Sequence, residues 1–309
     1  MQQKQKGLVW FRNDLRVHDN ASLTQAIQEN ETVIAVYCFD PRHFEKDAFG
    51  FKKTEKYRAQ FLIESVSELK INLEKINISL FVYHDTPEKS ISAFAKEHQI
   101  NTIYFQEEWT SEEVEVSANL RTQLQTTVTF TTHYDQFLFH PDDIPFDLNS
   151  IPKVFTQFRT LCENRVKIRP ISVLSSLDKQ NLIANSTLIP SLTDLGLDTF
   201  TKDMRTAFPF RGGENQALKR MEHYFWDTEK LSVYKSTRNG LIGTDFSSKF
   251  SPWLANGCIS AKRIYWEVAQ YEREVEKNES TYWLLFELIW RDYFKYISLQ
   301  NGTAIFKKG

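Results

Sequence analysis

The sequence predicts an α/β region followed by an all-α one. Two observations carry this. Through the first 135 residues, short β-branched and aromatic runs alternate with apolar positions at three- and four-residue spacing. Beyond Gly212 only the helical spacing remains. Near-continuous apolar runs suit strands buried on both faces, so the first region is expected to be a doubly wound parallel sheet.

The elements follow in order. Gly7-Leu-Val-Trp-Phe11 reads as the first strand and Thr32-Val-Ile-Ala-Val-Tyr-Cys-Phe39 as a stronger second one, ended by Asp40-Pro41. Ser79-Leu-Phe-Val-Tyr83, Thr102-Ile-Tyr-Phe105 and Val128-Thr-Phe-Thr-Thr132 complete the set. Helices between them are marked by Tyr57, Phe61, Leu62, Val66, Leu69 and Leu73, by Ile91, Phe94 and Ala95, and by Val114, Leu120 and Leu124. The turn after the first strand lacks Gly-x-Gly-x-x-Gly, so the sheet is Rossmann-like without the dinucleotide fingerprint, and a Rossmann dehydrogenase is disfavoured. From 136 to 205, Pro141, Pro145, Pro152, Pro170 and Pro190 break the pattern. This stretch is expected to be an interdomain linker draped over the surface, helical only over 154–162. Helices are expected over 214–225, 260–276 and 282–299. The organisation is therefore an α/β domain over 6–135, the linker over 136–205, and a partial helical domain over 206–309.

Composition narrows the function. At 41% hydrophobic and 25% charged residues the chain is an ordinary globular protein. No apolar run approaches the ~18 residues of a membrane span, and the polar start Met-Gln-Gln-Lys-Gln-Lys is no signal peptide. Cys38, Cys162 and Cys258 form no close pair, and the seven histidines lie at no metal-binding spacing. A reduced, cytoplasmic, metal-free monomer is the expectation. The net charge of −2 argues against coating nucleic acid by bulk charge. Between Lys202 and Arg263, however, eleven Lys/Arg face six Asp/Glu. That local excess suits either a polyanion-binding face or a solvated surface.

Four groups of residues could carry chemistry. Ser247, Ser248 and Ser251 flank Lys249 just before Pro252-Trp253, where hydroxyls and backbone N–H groups suit a phosphate or, alternatively, cap a helix. Glu287, Trp290 and Arg291 share one side of an otherwise apolar helix, as a helical ion pair with a tryptophan filler or as a functional set. Arg12, Asp14 and Arg16 lie at the carboxyl edge of the sheet, where α/β folds bind ligands and where ion pairs also brace loops. Glu107, Glu108, Glu112 and Glu113 lie on the same edge, where a helix start also favours acids.

Taken in order, these segments resemble a known family. Trp10-Phe-Arg-Asn-Asp-Leu-Arg-Val-His-Asp-Asn20 is similar to the opening signature of photolyases and cryptochromes. Phe208-Pro-Phe-Arg-Gly-Gly-Glu214, Tyr224-Phe-Trp-Asp227, Thr237-Arg-Asn-Gly240, Ser247-Ser-Lys-Phe-Ser-Pro-Trp-Leu254 and Ser280-Thr-Tyr-Trp-Leu-Leu-Phe-Glu-Leu-Ile-Trp-Arg-Asp-Tyr293 resemble its DASH-type cryptochromes. The resemblance implies that the helical region is an FAD-binding domain, in which Tyr234, Ser247, Ser248, Lys249, Ser251 and Arg291 would contact FAD. Glu287 and Trp290 would meet a flipped pyrimidine dimer, Arg238 the DNA backbone, and Glu113 a methenyltetrahydrofolate antenna. The implied activity is that of a deoxyribodipyrimidine photo-lyase: reduced, excited flavin splits cyclobutane pyrimidine dimers, preferentially in single-stranded or looped DNA, where extrusion costs less. Two alternatives stay open: a blue-light photoreceptor without repair, and an inactive fragment keeping only the α/β module. Family members continue well past Gly309, so a truncated helical domain with one wall of the cavity is expected.

Overall fold

The computed structural model describes residues 5–307. Five parallel strands, β1 (Lys6–Phe11), β2 (Thr32–Cys38), β3 (Leu80–Tyr83), β4 (Thr102–Gln106) and β5 (Thr129–His133), form one sheet in the order β3-β2-β1-β4-β5. Four helices connect them: α1 (Ala21–Glu29), α2 (Lys56–Lys75), α3 (Pro87–His98) and α4 (Ser111–Leu124). The register places Leu8 beside Ile34 and Ile103, and Val9 beside Ala35 and Tyr104. Successive side chains leave a strand on opposite faces. Leu8, Trp10, Ile34, Val36, Ile103 and Phe105 therefore pack against α3 and α4. Val9, Phe11, Val33, Ala35 and Tyr37 pack against α1 and α2. The doubly wound arrangement follows, with each predicted strand present to within a residue or so.

The second half is helical: α5 (Phe155–Arg165), α6 (Glu214–Glu222), the short α7 (Tyr234–Thr237) and α8 (Ser251–Ala255), α9 (Ala261–Glu274) and α10 (Glu279–Asn301). Asn278 starts α10 by accepting from the N–H groups of Ser280 and Thr281, while the Thr281 hydroxyl accepts from the Asn278 N–H, a reciprocal cap. The apolar face of the sheet that carries α1 and α2 is continuous with the core of these helices.

Two expectations change, and one helix was not expected at all. The helix expected over 214–225 ends at Glu222 and passes into a wider π turn over His223–Asp227. Helix α1 carries Leu23, Ala26 and Ile27 at helical spacing over nine residues, a pattern too short to stand out. The stretch after residue 136 does not lie on the surface throughout. Phe137, Leu138 and Phe139 are buried, the N–H groups of Leu138 and Phe139 both donate to Asp292 at 2.8 Å, and the Phe137 ring stacks on Tyr296. Three consecutive apolar residues gain more from burial than the linker composition suggests.

The two halves are joined by buried charge. Arg16 reaches Asp135 at 2.9 Å and the Gly257 carbonyl at 3.0 Å. Lys262 bridges Asp19 at 2.8 Å and Asp135 at 3.2 Å, and the Ser260 hydroxyl donates to Asp19. Each charge has a partner, the condition under which burying it is tolerable. The loop after β1 thus braces the fold through Asp14 and Arg16, the bracing alternative of the sequence reading. Gly257 is required here: its φ is +67°, and a Cβ would stand 1.9 Å from the Asn13 carbonyl oxygen.

Candidate functional site

The serine segment is held from behind by a residue that sequence reasoning missed. Arg220, on α6 and almost fully buried, donates to the carbonyls of Thr244 (2.9 Å), Ser247 (3.0 Å) and Ser248 (3.1 Å), and to Asp245 (2.7 Å). Its guanidinium also lies over the rings of Phe210 and Tyr224, at 4.9 and 4.8 Å. A rigid guanidinium fork matches several acceptors at once, which fixes the loop from Thr244 to Ser248. The available signal was the buried face of α6, where Glu214, Ala217, Arg220 and Met221 place charges at core spacing.

With those carbonyls tied to Arg220, the segment turns sharply: Lys249 has φ +61°, a left-handed conformation uncommon outside glycine. Lys249 forms no ion pair among the described residues. The capping alternative for the serines is not what forms, because the N-cap of α8 is Phe250 and no side chain caps that helix. Helix α8 has only five residues, so the loop rather than a helix dipole sets the local electrostatics.

Helix α10 meets the end of α8, the helix that follows this loop. Arg291 is largely buried and donates to the carbonyls of Gln136 (2.7 Å) and Leu254 (3.3 Å), linking α10 to the end of α8. Desolvation lowers its pKa from the ordinary arginine value, and the neighbouring Asp292 carboxylate offsets part of that. The helical pair expected between Glu287 and Arg291 is replaced by one across elements: Arg238 Nη1 donates to Glu287 Oε1 at 2.6 Å. Tyr234 is buried beside them, and burial pushes its hydroxyl pKa up to about 12, with the Glu287 charge adding to the rise. Trp290 stacks on Phe155 with ring centroids 3.4 Å apart, and Phe294, 62% exposed, lies 5.5 Å away. Tyr234, Arg238, Glu287, Trp290 and Arg291 are therefore gathered on α10, on α7 and at the residue just after it, with the serine loop joined to them through α8.

Glu113 lies elsewhere. It is in the first turn of α4 and accepts from the Thr110 hydroxyl, and its carbonyl accepts from Arg12 at 3.3 Å. It lines a cavity of about 370 Å³ at the carboxyl edge of the sheet with Phe11, Arg12, Phe39, Arg42 and Asn256. Burial lowers the Arg12 pKa, chiefly by desolvation, while Glu108 and Glu113 pull it back. The Arg12 Nη1 is buried with no hydrogen-bond partner among the described residues. A second, mostly apolar groove of about 930 Å³, between α2 and the 199–211 segment, contains none of the predicted site residues.

Among the described residues no group of three or more His, Cys, Asp and Glu could hold a metal ion. No helix there is long and apolar enough to cross a membrane.

Comparison with known proteins places this arrangement. The family model described as DNA photolyase matches residues 7–175. The chain is 45% identical to the cryptochrome DASH of Gloeobacter violaceus, over 97% of its own length and 60% of that protein. It is 43% identical to the cryptochrome DASH of Danio rerio, over 96% of its length and 58% of that protein. The crystal structure of the Synechocystis sp. PCC6803 cryptochrome superposes with a TM-score of 0.93 at 40% identity, covering 99% of this chain and 64% of that one. The chain thus spans about 60% of the length of the relatives it matches. With the sheet order, the helical half and these matches in agreement, the chain belongs to the photolyase/cryptochrome family and is similar to its DASH-type cryptochromes.

Proposed function

We propose that this chain carries the flavin- and DNA-facing part of a DASH-type cryptochrome that repairs cyclobutane pyrimidine dimers under blue light, preferentially in single-stranded DNA. The observation that supports it best is the bond from Arg291 to the Leu254 carbonyl, which joins the helix bearing Glu287 and Trp290 to the helix that follows the serine loop. The residues fit FAD. An ammonium without an ion pair, Lys249, stands beside Ser247, Ser248 and Ser251 on a loop whose carbonyls Arg220 occupies, a donor set suited to a pyrophosphate. When bound and reduced, FAD supplies the light-driven electron.

The protein's own part is to bind and position. Tyr234, the serines, Lys249 and Arg291 would hold the cofactor, Arg238 a backbone phosphate, and Glu287 and Trp290 the extruded bases. Such extrusion is cheaper where pairing is already lost. An antenna such as methenyltetrahydrofolate would lie in the cavity beside Glu113, where Arg12 and Arg42 stand in the wall as cations suited to its carboxylates. A division near residues 135 and 205, a monomer and a cytoplasmic setting belong to the same reading, in keeping with three free, buried cysteines.

One observation favours the alternative of a photoreceptor without repair: Phe155 already occupies one face of Trp290. The test is dimer loss in a single-stranded oligonucleotide under blue light, with the chain reconstituted with FAD and reduced. Repair predicts light-dependent loss that Glu287→Gln slows. Flavin binding without any dimer loss supports the photoreceptor.

A further inference from the structure

Arg238 is the group that the repair reading assigns to DNA, yet in this structure it is engaged elsewhere. Its Nη1 donates to Glu287 at 2.6 Å, and both side chains are about one-third exposed, at 30% and 32%. The guanidinium also sits 5.5 Å from the centre of the Trp283 ring, and the Tyr234 hydroxyl is its second polar neighbour. Nearby, Lys235 lies over the same ring at 4.6 Å and pairs with Glu279 at 2.8 Å. Both cations of this face are therefore matched by carboxylates. Arg238 follows a helix of only four residues and opens a loop whose Leu241 and Ile242 are 86% and 85% exposed.

A guanidinium binds a carboxylate or a phosphate with the same planar fork and, at this exposure, holds the carboxylate only weakly. Resting on the DNA reading above, we infer that Arg238 is a partner-exchange latch: it pairs with Glu287 in the free protein and passes to a backbone phosphate when DNA docks. Glu287 is then released toward the bases only when a phosphate is in place. Phosphate and carboxylate compete for one cation, so removing the carboxylate must strengthen phosphate binding, and only while Arg238 is present.

The experiment measures binding of an undamaged, fluorescein-labelled oligothymidylate by anisotropy at several salt concentrations. Wild type, Glu287→Gln, Arg238→Gln and the double variant are compared, with melting curves for each. Glu287→Gln is expected to bind roughly two- to fivefold more tightly and to steepen the logarithmic salt dependence by up to about 0.7. The double variant is expected to match Arg238→Gln. Glu287→Asp, which keeps the charge but shortens its reach, is expected to fall between wild type and Glu287→Gln. Wild-type binding without a gain in Glu287→Gln, or the same gain in the Arg238→Gln background, overturns the latch and leaves the DNA reading standing. Absence of binding by all the variants and the wild type overturns both.

Discussion

Removing Arg220 tests how the cofactor wall is built. Arg220→Ala leaves the carbonyls of Thr244, Ser247 and Ser248 without their donor and Asp245 without its cation. Breaking a buried ion pair costs about 3–5 kcal/mol, and a stranded buried carbonyl about 1–3 kcal/mol. Asp245 is 36% exposed and the loop can relax toward water, so the expected total sits near the low end, about 4 kcal/mol. Arg220→Lys keeps the charge but not the fork, and is expected to cost about 2 kcal/mol. Both values lie below the stability of about 5–15 kcal/mol of a typical domain, so both variants should fold. Thermal melting is expected to show a drop of about 10 °C for the alanine variant, and FAD titration a loss of affinity greater than about tenfold, since the loop is no longer fixed. An alanine variant that melts with wild type and binds FAD equally well would refute the brace.

Other predictions concern the joint between the halves and the buried carboxyls. Asp135→Ala leaves the buried Arg16 without its carboxylate and Lys262 with Asp19 alone, and is expected to destabilise by about 3–5 kcal/mol in denaturant unfolding, more than Asp135→Asn. Gly257→Ala drives a Cβ into the Asn13 carbonyl in a left-handed conformation, and its soluble yield and melting temperature are expected to fall sharply. Burial raises the pKa values of Asp14 and Asp292 to about 6 each, against local hydrogen bonds that pull them down. The folded state then holds more protons than the unfolded one between about pH 4 and 6, so these groups make stability fall as pH rises through that window, by roughly 3 kcal/mol apiece. Asp292→Asn, which retains an acceptor for Leu138 and Phe139, should flatten the curve measured by urea unfolding against pH.

Much of the molecule was legible because the relevant signals are local. The five strands announced themselves as β-branched and aromatic runs, and Tyr57 to Leu73 fixed the long α2 by spacing alone. Membership of the family was legible for a different reason: long ordered motifs such as Ser247 to Leu254 stand in one register. What stayed hidden is set by distance along the chain. Arg220 lies more than twenty residues from the loop it holds, and Arg238 forty-nine from Glu287, so neither pairing has a periodic trace. The same applies to Asp135 with Lys262. The Glu287–Arg291 spacing pointed to a helical pair, but Arg238, just after α7, takes Glu287 while Arg291 turns to the carbonyls of Gln136 and Leu254. Phe137 to Phe139 read as linker because the surrounding prolines and polar residues masked three core positions.

The central claim is that the Arg220-braced loop and α10 form a flavin-binding wall, and flavin titration of this 309-residue chain tests it most directly. Quenching of FAD fluorescence should be saturable, and a variant lacking the Ser247 and Ser248 hydroxyls and the Lys249 ammonium should weaken it at least about tenfold, as expected for lost charge-assisted contacts. Non-saturable quenching, or the same affinity in that variant, would contradict the account.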